Sequence, residues 1–135
     1  MDRQVIADKL ERLRRCVSRI EQKRPYTPEE LTANYDLQDI LSVNLQRAVQ
    51  LSVDIAAHII ADKEIEVPST MAQVFDALQT LEILSPELAV SMKKAVGFRN
   101  IAVHTYQAID WTIVFNICHQ KLDDFRAFAQ AVATV

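Results

Sequence analysis

Apolar side chains recur along most of this chain at steps of three and four residues, the spacing that gathers them on one face of an α-helix. Val5, Ile6, Leu10, Leu13, Val17 and Ile20 predict a first helix from Asp2 to Lys23, ended by Arg24-Pro25-Tyr26. Thr27-Pro28-Glu29-Glu30 reads as a second start: the threonine caps, the proline suits the first turn and Glu30 completes a capping box. No breaker follows until about Asp62, so the pattern predicts one helix of roughly 35 residues, about 50 Å at 1.5 Å per residue. It carries two apolar stripes, Leu37, Leu41, Ala48, Leu51, Ile55 and Ile59 on one side, and Leu45, Val49, Val53, Ala56 and Ile60 turned around the axis. Unless the domain wraps this helix completely, one stripe packs in the monomer and the other is left for a second subunit.

Beyond a loop at Lys63 to Val67, Pro68-Ser69-Thr70 introduces a helix from Met71 to about Ile83, with Val74, Phe75, Leu78 and Leu81 facing inward. Ser85-Pro86-Glu87 starts a fourth, carrying Leu88, Met92, Ala95 and Val96, and Asp110 caps a fifth from Trp111 to about Val132. The expected fold is all-α: an antiparallel helical bundle of about five helices with one very long central helix, dimerising, with residues 1–135 as a single domain.

Composition narrows the chemistry. A single glycine, Gly97, rules out a phosphate-cradling glycine loop or a dinucleotide fingerprint, and four prolines leave little material for the many turns of a β-sandwich. Cys16 and Cys118 have no neighbouring cysteine and no zinc-ligand spacing, so two reduced thiols and a cytoplasmic location are expected. The start Met1-Asp2-Arg3-Gln4 lacks a secretion signal's apolar run, and no stretch is long enough to cross a bilayer, so no membrane association is expected. The net charge is −3, but residues 1–24 hold eight basic side chains against four acidic ones, a local +4 that leaves −7 to the remainder. A basic first helix suits the border of an RNA groove, and equally a solvated helix face laced with ion pairs.

The densest chemistry lies in Arg99-Asn100-Ile101-Ala102-Val103-His104-Thr105-Tyr106, where a fixed cation, a proton-transfer group and a phenol fall within eight residues. Arginine stays charged and can clamp two phosphate oxygens, and histidine titrates near neutrality. Together they suit phosphodiester cleavage. On one regular helix Arg99 and His104, five residues apart, diverge by about 140°, whereas Asn100 and His104 share a face. Either the backbone bends near Gly97 or motifs from two subunits meet. His58 with Asp54, and His119 with Asp123, are spaced four apart like metal pairs, but neither belongs to a larger ligand set, and structural roles are expected.

The pattern Arg-x4-His-x-Tyr, with an amide straight after the arginine, resembles the minimal HEPN domains, specifically the HepT-like toxins of bacterial toxin–antitoxin pairs. Asp36-Leu-Gln-Asp-Ile-Leu-Ser-Val-Asn-Leu-Gln is similar to that family's long central helix, and the likeness in length and helix order covers nearly the whole chain. The resemblance implies a homodimeric endoribonuclease with Arg99 and His104 catalytic, Asn100 positioning the substrate, and a composite cleft between protomers. It also implies a cognate minimal nucleotidyltransferase antitoxin that AMPylates Tyr106, and draws attention to Ser52 and Asp54 as edges of the cleft. The expected partners are RNA and that antitoxin; DNA is not expected, and no cofactor or metal is required. Two rivals stand beside this reading. One is a non-catalytic nucleotide-binding or accessory module of a nucleotidyltransferase, and the other a plain interaction bundle with the motif buried.

Overall fold

The computed structural model describes residues 1–135 and contains seven α-helices and one 3-10 turn. They are α1 (Arg3–Lys23), α2 (Pro28–Thr32), α3 (Tyr35–Asp62), α4 (Met71–Thr80), α5 (Pro86–His104), the turn Tyr106–Ala108, α6 (Trp111–Gln120) and α7 (Leu122–Ala133). The caps fall on residues whose side chains make them. Asp2, Thr27, Thr70, Ser85 and Asp110 each accept a backbone N–H of the first turn that follows, filling donors that the helix cannot satisfy.

Two of the expected helices are broken, and each break has a local cause. The run from Pro28 stops at Thr32, where the Thr32 hydroxyl turns back to the Pro28 carbonyl at 2.7 Å and Asn34 begins a new helix by accepting from Leu37 N–H at 3.1 Å. The buried amide of Gln38 donates to the carbonyls at the break, Leu31 at 3.1 Å and Thr32 at 3.2 Å. The fifth expected helix divides at Lys121, where Arg24 donates to the Cys118 carbonyl at 2.9 Å from across the domain.

α3 is the axis of the domain, with α1 along one side and α4, α5 and α7 around the rest. Leu41, Ala48, Ile55 and Ile59 of the first stripe are fully buried, and Leu45, Val49, Val53, Ala56 and Ile60 of the second are buried too. The stripe expected to remain for a second subunit is therefore covered within the monomer, because the other helices pack around α3 on the sides that α1 leaves open. Phe75 and Phe128 meet edge to face at 5.8 Å in the centre of the core. No helix is long and apolar enough to cross a membrane.

Candidate active site at the end of α5

The motif lies where α5 ends. Gly97 is helical with no positive φ, and α5 runs through it to His104 without a break. Thr105 terminates the helix by leaving the helical backbone conformation, its N–H reaching the Ile101 carbonyl at 2.8 Å. A 3-10 turn then carries Tyr106 back over the domain.

This leaves Arg99 and His104 on diverging sides of one continuous helix and stacks Asn100 one turn before His104. Asn100 and His104 are exposed. Arg99 is half-buried: its guanidinium donates to Asn100 Oδ1 and to Gln50 Oε1 of α3, both at 3.3 Å. Gln50 in turn donates to Asp54 at 2.9 Å, so a polar relay anchors the arginine to the central helix. Ser52 does not edge the site. It is fully buried, its hydroxyl spent on the Ala48 carbonyl at 2.8 Å, because four residues on a helix bring Oγ back over that oxygen.

Tyr106 is partly exposed, and its ring packs edge to face on Trp111 with centroids 5.8 Å apart. The phenol donates to Asp39 Oδ1 of α3 at 2.7 Å. Partial burial, and then the hydrogen bond and negative charge of Asp39, push the phenol up to about 12. Asp39 and Gln50 are the two site residues that the motif does not reveal. Both lie some fifty or more residues upstream, and a periodicity reading assigns them only to the polar side of the long helix.

Of the two His–Asp pairs spaced four apart, one member of each is engaged elsewhere. His119 Nε2 donates to the Pro25 carbonyl at 2.7 Å with its ring tilted on Phe115, and Asp54 is held by Gln50 and Lys9. Beside the motif a mostly apolar groove of 380 Å³ opens among Phe98, Ile101, Ile109, Ile113 and Ile117, with Ile101 and Ile113 exposed.

An all-helical domain with a histidine at an open helix end, an arginine five residues before it and a tethered phenol two residues on is the HEPN class of helical domain. The model for the ribonuclease HepT-like family matches residues 6–132, and the chain belongs to that family. It is 32% identical over 128 residues to the mRNA nuclease HepT of Shewanella oneidensis, covering 95% of this chain and 96% of that one. It is 26% identical over 128 residues to a tRNA nuclease HepT of Aphanizomenon flos-aquae, covering 95% of this chain and 87% of that one. Among solved structures, a toxin–antitoxin complex with AMP-PNP superposes with a TM-score of 0.91 at 30% identity, over 98% of this chain and 99% of that one. A tri-AMPylated S. oneidensis HEPN toxin in complex with MNT antitoxin superposes at 0.90 with 32% identity, over 97% and 98%.

Proposed function

We propose that this protein is the toxin of a toxin–antitoxin pair, a metal-independent endoribonuclease with Arg99 and His104 as catalytic residues and Asn100 positioning the substrate. The observation that carries this reading is the exposed Asn100–His104 face at the end of α5, with Arg99 beside it, in a chain of the HepT-like family. RNA brings its own nucleophile. A base takes the 2′-hydroxyl proton, the oxygen attacks the adjacent phosphorus, an acid protonates the departing 5′-oxygen, and a cation offsets the charge on the phosphorane. His104 serves as base or acid and Arg99 as the cation. The products are a 2′,3′-cyclic phosphate and a 5′-hydroxyl, and DNA, lacking the 2′-hydroxyl, is not a substrate.

The active form is a homodimer with a composite cleft. Its support is the divergence of Arg99 and His104 on a continuous helix, together with the open apolar groove at Ile101 and Ile113. A second copy supplies the complementary group and covers the groove. The protein works in the cytoplasm beside RNA and ATP.

Silencing falls to a minimal nucleotidyltransferase antitoxin, the partner found with the S. oneidensis toxin. The Tyr106 oxygen attacks the α-phosphorus of ATP, pyrophosphate leaves, and the phenol proton passes to Asp39, its acceptor at 2.7 Å. The added phosphate, two residues past His104 and seven past Arg99, neutralises the clamp, and its nucleotide fills the cleft. The test is RNA incubated with purified, unmodified protein plus EDTA. Cyclic-phosphate ends are expected, and intact RNA under those conditions overturns the nuclease reading in favour of a nucleotide-binding or accessory module.

A further inference from the structure

A second surface feature lies away from the α5 end, on the opposite side of Gln50. The polar positions of α1 and α3 flank a groove of 650 Å³ whose walls carry Arg12, Arg15, Arg19 and Arg47, with Asn44 and Asp54 between them. The spacing is helical: Arg12, Arg15 and Arg19 stand at steps of three and four on α1, and Asn44, Arg47 and Asp54 share the facing side of α3. All four guanidiniums are on exposed residues. Their charge is largely uncompensated. Arg15 has only Glu11 at 3.8 Å, the one carboxylate in the groove is drawn off by Lys9 at 3.7 Å and Gln50 at 2.9 Å, and Arg12, Arg19 and Arg47 form no ion pair. In a chain of net charge −3, four such cations lining one concavity raise the local potential well above the average surface.

We infer that this groove binds the sugar-phosphate backbone of the RNA on one side of the cut and leads it to Arg99. Three features select a polyanionic strand over other ligands. Arg12 and Arg19 are about 10 Å apart along the helix axis, more than one phosphate spans. The lining offers no aromatic and only Cys16 and Leu51 as apolar contacts, so it lacks the anchors that a protein partner uses and the platform that base stacking needs. Gln50 lines the groove and also accepts from Arg99, which makes the groove continuous with the proposed catalytic cation. The contacts are to phosphates and are therefore blind to sequence.

The inference rests on the nuclease reading, and its test separates the two. A labelled 2′-O-methyl oligoribonucleotide, which cannot be cleaved through the 2′-oxygen, is titrated with full-length protein across a salt series and followed by anisotropy. The triple variant Arg12→Ala, Arg19→Ala, Arg47→Ala is expected to bind at least about tenfold more weakly, and its log–log salt slope is expected to be shallower by about 2, from about 0.7 for each phosphate no longer neutralised. The corresponding triple lysine variant keeps the charges and is expected to keep most of the slope. Arg47→Gln alone is expected to remove about 0.7 of it. Unchanged affinity and slope in both the alanine and Arg47→Gln proteins overturn the inference. Equal displacement of the oligomer by ATP at matched phosphate concentration also overturns it, because the site then holds a mononucleotide. Wild-type protein that binds with the full slope but leaves natural RNA uncut removes the nuclease reading and leaves the groove as a strand-binding site.

Discussion

Replacing Tyr106 by phenylalanine separates toxicity from its control with little disturbance of the fold. The variant loses one hydrogen bond, the 2.7 Å bond to Asp39, and keeps the ring on Trp111. A hydrogen bond to a charged acceptor contributes about 1.5–3 kcal/mol when buried, but this phenol is 39% exposed, and water replaces the missing partner on Asp39. The net cost is then about 1 kcal/mol, or roughly 3–4 °C of melting temperature for a domain of this size. Because the proposed cleavage assigns the phenol no proton transfer, Tyr106→Phe is expected to inhibit growth nearly as strongly as wild type. It is expected to escape the nucleotidyltransferase antitoxin, which retains nothing to modify at that position. Growth curves with and without the antitoxin, a thermal melt, and intact-mass spectrometry of co-expressed protein read all three quantities. Wild type should carry one or more AMP units mapping to Tyr106, and the variant none there. Neutralisation of Tyr106→Phe as complete as that of wild type refutes modification as the silencing step and leaves steric binding. An inactive but folded variant places the hydroxyl among the catalytic groups and refutes the division of roles.

His104→Ala and Arg99→Ala are each expected to lose cleavage by about 10²–10⁴-fold, the usual range for removing an acid–base group. His104 is exposed, so its melting temperature should stay near wild type, while loss of Arg99 frees Gln50 and costs slightly more. Light scattering is expected to give a dimer at micromolar concentration, and full activity from a stable monomer contradicts the composite cleft. Asp39→Asn removes the negative charge and leaves a neutral, weaker acceptor but does not change the burial, so the Tyr106 midpoint is expected to fall part of the way from about 12 toward the ordinary phenol range near 10, read by ultraviolet difference titration against Tyr106→Phe. The same raised midpoint means that the neutral phenol favours the folded state. That contribution is whole below about pH 10 and fades as pH rises through 10 to 12, so Asp39→Asn should flatten the alkaline loss of stability in that window.

The helical class, the caps and the motif are legible in the chain before it folds. Periodicity and capping are local: Asp2, Thr27, Thr70, Ser85 and Asp110 satisfy N–H groups two or three residues away, so their role is written in their neighbours. The order Arg99, Asn100, His104, Tyr106 is local in the same sense, and is enough to suggest the family to which the chain belongs. Features that depend on distant contacts emerge only in the folded domain. The break after Thr32 is held by Gln38 taking two carbonyls that a continuous helix would have used, which no propensity reveals. Whether the second stripe of α3 is spare depends on how the other helices close around it, and they bury it. Gly97, a candidate hinge by composition, stays helical because nothing in the packing forces it otherwise. Asp39 and Gln50 join the site only when α3 is laid beside the end of α5, because a hydrogen bond across 67 or 49 residues leaves no periodic trace in the chain.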